Sequence, residues 1–207
     1  MEATRPVPAP AEEWMRRVTL VGRHVRLEPL GTQHARDLHE ATPAGTFRYF
    51  TVLPKEPTEN GMAGFIEWLI ADPARIHFAV IDLTSGRAVG STSYYDIRPA
   101  HLGLEIGWTW YGGAARGTAV NPEAKRLLLA RAFDELGAER VALRTDSRNA
   151  HSRGAMLKLG AKEEGTLRRH LLMPDGAWRD SVYFSILRDE WPRVRAGIDA
   201  RLAAFGA

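Results

Sequence analysis

Apolar and polar positions along this 207-residue chain change period several times. From Val18 to Leu30 they alternate, with Val21, Arg23, Val25 and Leu27 on one parity and Gly22, His24, Arg26 and Glu28 on the other. This predicts a strand, with a hairpin turn at Gly22. Thr32 can cap a helix to about Glu40, which Pro43 and Gly45 break. Phe65, Trp68 and Leu69 recur at i, i+3 and i+4 and predict a second helix over Thr58 to Ala71. The period then drops to two. Ile76 to Leu83, Ala88 to Ile97 and Leu102 to Trp110 read as three successive strands, separated by the turn signals Thr84-Ser85-Gly86-Arg87 and Pro99-Ala100-His101. In the third, Leu102, Leu104, Ile106, Trp108 and Trp110 are expected on one face, with Gly103, Glu105, Gly107 and Thr109 on the other.

A glycine-rich turn, Tyr111 to Thr118, leads into a helix from Asn121 to about Leu136. Asn121 suits the N-cap, Pro122 the first helical position, and Glu123 the positive end of the helix dipole. Arg140 to Thr145 reads as a strand, and Asn149 to Leu159 as a helix stopped by Gly160. Glu164 to Leu172 and Arg179 to Leu187 read as an antiparallel pair around Pro174-Asp175-Gly176. Trp191 to Phe205 is an amphipathic helix with Val194, Ile198 and Leu202 in line, a stripe suited to packing on the domain or to a homodimer. The order β-α-α-β-β-β-α-β-α-β-β-α predicts an α/β (α+β) fold, one mixed sheet with helices on its faces. Residues 1–13, rich in Ala, Pro and Glu, are expected to form a disordered tail, 14–191 a single domain, and 192–207 a C-terminal helix.

Composition narrows the function. The chain has no Cys, which excludes a disulfide framework, thiolate metal sites and a Cys nucleophile, and fits a reducing, cytoplasmic location. Acids and prolines fill Met1 to Glu13 where a signal peptide would be apolar, and no apolar run approaches the roughly 20 residues of a membrane span. No membrane partner is expected. The net charge of +3 is uneven: Ala115 to His170 carries 12 Lys/Arg against 7 Asp/Glu, leaving 16 against 18 elsewhere. A basic surface of this kind suits a phosphorylated cofactor or nucleic acid, or is simply a solvated helix face. No groove-reading helix or stacking-aromatic pattern accompanies it, so nucleic acid is not expected. His34 and His39 are five apart and do not share a helix face, and no other His/Asp/Glu group has ligand spacing, so no metal is expected.

The turn before Asn121 is the most informative stretch. A glycine-rich turn feeding a helix N-terminus offers unpaired N–H groups and a positive dipole end to an anion, and Arg116 adds a cation. A tight strand-to-helix turn with no ligand has the same composition. The P-loop pattern fails, because Thr118 stands where Lys would follow Gly117, and the pattern G-x-G-x-x-G is absent. The segment Leu104 to Lys125 (LEIGWTWYGGAARGTAVNPEAK) resembles the acyl-CoA signature of the GNAT acetyltransferase superfamily, in particular its ribosomal-protein-alanine acetyltransferase branch. The loop Q/R-x-x-G-x-G/A corresponds to Arg116-Gly117-Thr118-Ala119-Val120-Asn121, with Ala119 and Asn121 departing from it. RVALRTDSRNAHSRGAMLKLGAKEEGTLRRH and DGAWRDSVYFSILRDEW resemble the end of the same branch, and the likeness covers roughly residues 18–191.

The resemblance implies a mainly antiparallel, twisted sheet of about seven strands whose central pair, Leu102–Trp110 and Arg140–Thr145, splays apart around acetyl-CoA. It places the pyrophosphate on the backbone of Gly117, Thr118, Ala119 and Val120 beside Arg116 and Asn121, and Asn149 and Ser152 along the pantetheine. The implied reaction is N-acetylation of a primary amine, on a protein N-terminus or a small molecule, by direct transfer. Glu105, the only acid within its strand, is the first candidate for general base, with a solvated surface carboxylate as its plain alternative. His101 and His151 are weaker candidates. Ser152 would orient or protonate the leaving thiol, and Tyr183 would help if the last hairpin brings it in, since Met156 and Leu157 stand where many relatives carry a Tyr. The alternative is an acyl-CoA-binding or sensing module without catalysis.

Overall fold

The structure, a computed structural model, describes residues 8–206. Eight strands form one sheet: β1 (Leu20–Val21), β2 (Val25–Pro29), β3 (Ile76–Asp82), β4 (Arg87–Arg98), β5 (Gly103–Tyr111), β6 (Arg140–Asp146), β7 (Lys162–Leu172) and β8 (Trp178–Leu187). Their order is β1-β2-β3-β4-β5-β6-β8-β7, and only β5 and β6 run parallel. The count exceeds the expected seven because the first strand folds back at Gly22, whose N–H donates to the Val25 carbonyl at 2.8 Å.

The helices are α1 (Ala11–Trp14), α2 (Ala35–Ala41), α3 (Glu59–Ile70), α4 (Val120–Ala130), α5 (Ala150–Leu159) and α6 (Trp191–Ala203). Thr58 caps α3 by accepting from the Gly61 N–H at 3.0 Å, and Asn149 caps α5 by accepting from the Ser152 N–H at 3.1 Å. On one face of the sheet, Phe78, Tyr94, Leu104, Ile106 and Phe184 pack with Leu128 and Leu129 of α4 and Val194 and Ile198 of α6. On the other, Ala79, Ile81 and Trp110 pack with Leu38 of α2 and Phe65, Ile66 and Leu69 of α3. Strand β3 is therefore buried on both faces, so its sequence reads as a nearly continuous apolar run.

Residues 1–7 of the expected tail lie outside the described residues. The chain is fixed well before residue 13. The Ala9 N–H donates to the Leu136 carbonyl at 3.1 Å, and Trp14 at the end of α1 is almost fully buried. Burial of this indole holds the preceding segment against the domain. The apolar stripe of α6 is likewise used within the chain, against α4 and α5. No helix among the described residues is long and apolar enough to cross a membrane.

The start of α4 corrects the capping expectation. Asn121 is the second residue of the helix, and Ala119 occupies the cap position. The first turn closes early because the Glu123 N–H donates to the Ala119 carbonyl at 3.0 Å, while the Thr118 hydroxyl accepts from the Val120 N–H at 3.3 Å. The Glu123 carboxylate does not stay on its own helix end. It accepts from the N–H groups of Arg23, His24 and Val25 at 2.9, 2.6 and 2.7 Å and ties the β1–β2 turn to α4.

Candidate active site

Parallel strands β5 and β6 pair at only three positions, Gly103 with Arg140, Leu104 with Val141 and Glu105 with Ala142, and then separate. Beyond Glu105, the edge of β5 that faces β6 has no strand opposite it. A cleft of about 440 Å³ enters this gap, lined by Ile106 to Tyr111 on one side and Leu143 to Thr145 on the other.

Within β5 the expected alternation fails at Trp108. Ser93 pairs with Gly107 but Ser91 with Trp110, so Trp108 and Thr109 together oppose Thr92. Trp108 takes φ +50, a left-handed value rare for a bulky residue. This bulge inverts the face assignment for the rest of the strand. Leu104 and Ile106 point to the α4 side as expected, but Trp110 joins the α2–α3 core, with Trp108 packed against it. Thr109 turns to the α4 side instead, where its hydroxyl meets that of Thr92 at 2.8 Å.

The α4 side carries the anion cradle. Gly117 has φ +77 and open space where a Cβ would stand. Among the described residues, no hydrogen bond forms from the N–H groups of Gly117, Thr118, Ala119 and Asn121. Arg116, Asn121, Asn149 and Ser152 all line the cleft. Five lining side chains are cationic (Arg116, Lys125, Arg144, Arg179 and Arg201) and none is an Asp or Glu, a set that fits a polyanionic cosubstrate such as acetyl-CoA.

Lys125 was missed by sequence reasoning. It lies on the buried face of α4, three residues before Leu128, and its ammonium donates to the Thr109 hydroxyl at 2.9 Å. Burial pulls its pKa down to about 7. The signal was present: Lys125, Leu128 and Leu129 follow the i, i+3, i+4 pattern of a core face.

On the opposite face of the sheet, Glu105 is 3% exposed and does not line the cleft, so the surface-carboxylate alternative falls. The Tyr95 hydroxyl, which does line the cleft, donates to its carboxylate, and Arg144 Nε lies 3.1 Å away. Burial pushes the Glu105 pKa up to about 7 against the pull of Arg144, Arg179 and Arg140. Tyr183 does not line the cleft. It pairs with Arg144 across β6 and β8, and its hydroxyl accepts from Arg144 Nη1 at 2.8 Å, which directs it at the guanidinium and away from the α5 side where Ser152 lies. Neither Tyr95 nor Arg144 stood out in the sequence. His151 lines the cleft, whereas His101 lies in an exposed turn after β4.

A domain model described as "Acetyltransferase (GNAT) domain" matches residues 24–162. "Putative ribosomal N-acetyltransferase YdaF" of Bacillus subtilis (strain 168) is 33% identical over 109 residues, which is 53% of this chain and 58% of that protein. The chain thus spans little more than half the length of this curated relative. An acetyltransferase crystal structure from T. thermophilus superposes with a TM-score of 0.83 at 39% identity, covering 89% of this chain and 96% of that one. A GCN5-related N-acetyltransferase from Brucella melitensis does so with 0.84 at 30% identity, over 89% and 85% of the two chains. With the model spanning more than half of its residues, and with the splayed strands and N–H cradle in place, this chain belongs to the GNAT acetyltransferase family.

Proposed function

We propose that the chain is an N-acetyltransferase that moves the acetyl group of acetyl-CoA directly to a primary amine. The observation that carries this reading is one cleft with two ends, an unpaired N–H cradle with cations on the α4 side and the Tyr95–Glu105 pair on the other. Acetyl-CoA supplies an acyl carbon already activated as a thioester. Arg116 and the N–H groups of Gly117 to Val120 and of Asn121 hold its diphosphate. Asn149 and Ser152 line the way to the gap between β5 and β6.

The acceptor amine must be neutral to attack. An α-amine, with a pKa near 7.7–8.0, loses its proton far more readily than a Lys side chain near 10.4. Glu105 is too buried to touch the amine. In this reading its base strength reaches the cleft through Tyr95, whose hydroxyl takes the amine proton as its own passes to Glu105. The N–H groups on the free edge of β5 face the developing oxyanion. The Ser152 hydroxyl stands at the start of α5 to orient the departing sulfur. Tyr183 has no role in the transfer beyond holding Arg144. The name of YdaF makes a ribosomal-protein N-terminus a natural first acceptor to try.

Acetyl-CoA at 100 times its Kd is expected to stabilise the fold by about 2.7 kcal/mol. For a chain of this size that is a rise of roughly 5–11 °C in Tm. Arg116→Glu should reduce it strongly. Thiol release on a panel of amines and N-terminal peptides then reads turnover. A Tm unmoved by millimolar acetyl-CoA would sink this reading, and binding without thiol release from any amine would leave a sensing module.

A further inference from the structure

Arg179 is a buried cation facing the cleft. It is 8% exposed, lies near the start of β8, and lines the cleft on the sheet face that carries Glu105 and Tyr95. Its Nε donates to the Ser181 hydroxyl and its Nη1 to the Tyr49 carbonyl, both at 3.1 Å. These contacts fix the plane of the guanidinium and leave Nη2 without a hydrogen-bond partner among the described residues. No carboxylate lies within 4.0 Å of Arg179 among those residues. The two acids whose charges act on it are already engaged, Asp146 by Arg148 at 2.7 Å and Glu105 by Tyr95 and Arg144.

Buried charges are ordinarily paired, because taking an ion out of water costs several kcal/mol. Arg179 is held rigidly by neutral partners instead, with Arg144 adding a second positive charge on the same face. A fixed guanidinium fork with a free edge is a ready carboxylate receptor. The cosubstrate cradle lies on the α4 side of the gap, so the anion that Arg179 meets comes with the acceptor. We propose that Arg179 determines acceptor specificity by binding a carboxylate carried by the amine being acetylated. That carboxylate is either the α-carboxylate of a free amino acid or the side-chain carboxylate of an acidic peptide N-terminus. The assignment deepens the acetyltransferase reading and rests on it for the identity of the bound molecule as acceptor.

Two matched probe pairs test it by calorimetry on the full chain: L-alanine against L-alaninamide, and Ala-Asp amide against Ala-Asn amide. The acid of at least one pair should bind about 10- to 100-fold tighter than its amide, the range expected for one charge-assisted hydrogen-bonded pair. The pair that shows the preference identifies which carboxylate is read. Arg179→Gln should abolish the ratio, and Arg179→Lys should keep part of it. Equal binding within both pairs, no binding of any probe at millimolar concentration, or a ratio that survives Arg179→Gln overturns the assignment. The acid–amide comparison on the unmodified protein stands even if a variant fails to fold. The same probes with acetyl-CoA, read by thiol release, test the parent reading separately. A preserved binding ratio with no release from any probe counts against acetyl transfer and leaves the carboxylate receptor standing.

Discussion

Arg144 Nε lies 3.1 Å from the carboxylate of Glu105 just where the β5–β6 ladder runs out, so the pair bridges the foot of the gap. Burial raises Glu105 to about 7 even with this guanidinium beside it. For a base, kcat/KM should climb with pH to a plateau with its midpoint near that value. Glu105→Gln should flatten this limb and lower kcat by about 10²- to 10⁴-fold. A pH–rate profile of both proteins checks this. Stability carries the opposite trend. The folded carboxyl holds a proton that the unfolded chain, at 4.5, has already lost. The stability it contributes is full below pH 4.5 and is lost as pH rises through about 7, a decline that should be absent in the Gln variant.

Lys125 is lowered from 10.5 to about 7, so between those pH values the unfolded chain binds a proton that the folded chain does not. Its contribution to stability should therefore rise with pH across the window, by at most about 1.4 kcal/mol per pH unit. Lys125→Met should remove that rise. Denaturant midpoints across the window measure it. Bound acetyl-CoA, by adding negative charge to the cleft, should push the lysine back up and make the slope shallower.

Gly107 lies against the ring of Tyr95, where a Cβ would come within 2.5 Å of Cε1 and 2.9 Å of the hydroxyl. Gly107→Ala should displace Tyr95 from Glu105, lowering kcat more than the affinity for acetyl-CoA. Crowding of this kind costs about 1–3 kcal/mol, which thermal unfolding will show. Unchanged turnover in a folded Gly107→Ala protein would exclude Tyr95 from proton transfer.

Glu123 answers three backbone N–H groups of the β1–β2 turn. Glu123→Ala should cost about 3 kcal/mol or more, since an unanswered buried donor costs about 1–3 kcal/mol. The start of α4 would lose its anchor with it, so acetyl-CoA binding should weaken in the same variant, as calorimetry can measure.

The features of this molecule that are legible in its sequence are those that local chemistry decides. Asn149 caps α5 and Gly160 ends it with φ +100, as their residue types require. The three central strands lie where alternation puts them, and the resemblance supplied the gap between β5 and β6. The bulge was not legible, because a left-handed Trp108 is held by its partners across the sheet and not by its own preference. Asn121 misled for a similar reason: a good capping residue was overtaken by a turn that closed two residues earlier. Tyr95 and Arg179 gain their meaning from contacts with Glu105 and Tyr49, the second 130 residues away, which no local pattern encodes.

The extra residue in β5 makes strand length, more than composition, the property that separates the two sides of the cleft. Removing one residue near Trp108 would restore plain alternation and exchange the faces of Thr109 and Trp110. The Thr109 hydroxyl would swing away from Lys125, and the Trp110 indole would be driven into the helix that carries the cradle. Substitutions along this strand can drift while the two compartments persist; a single deletion would merge them.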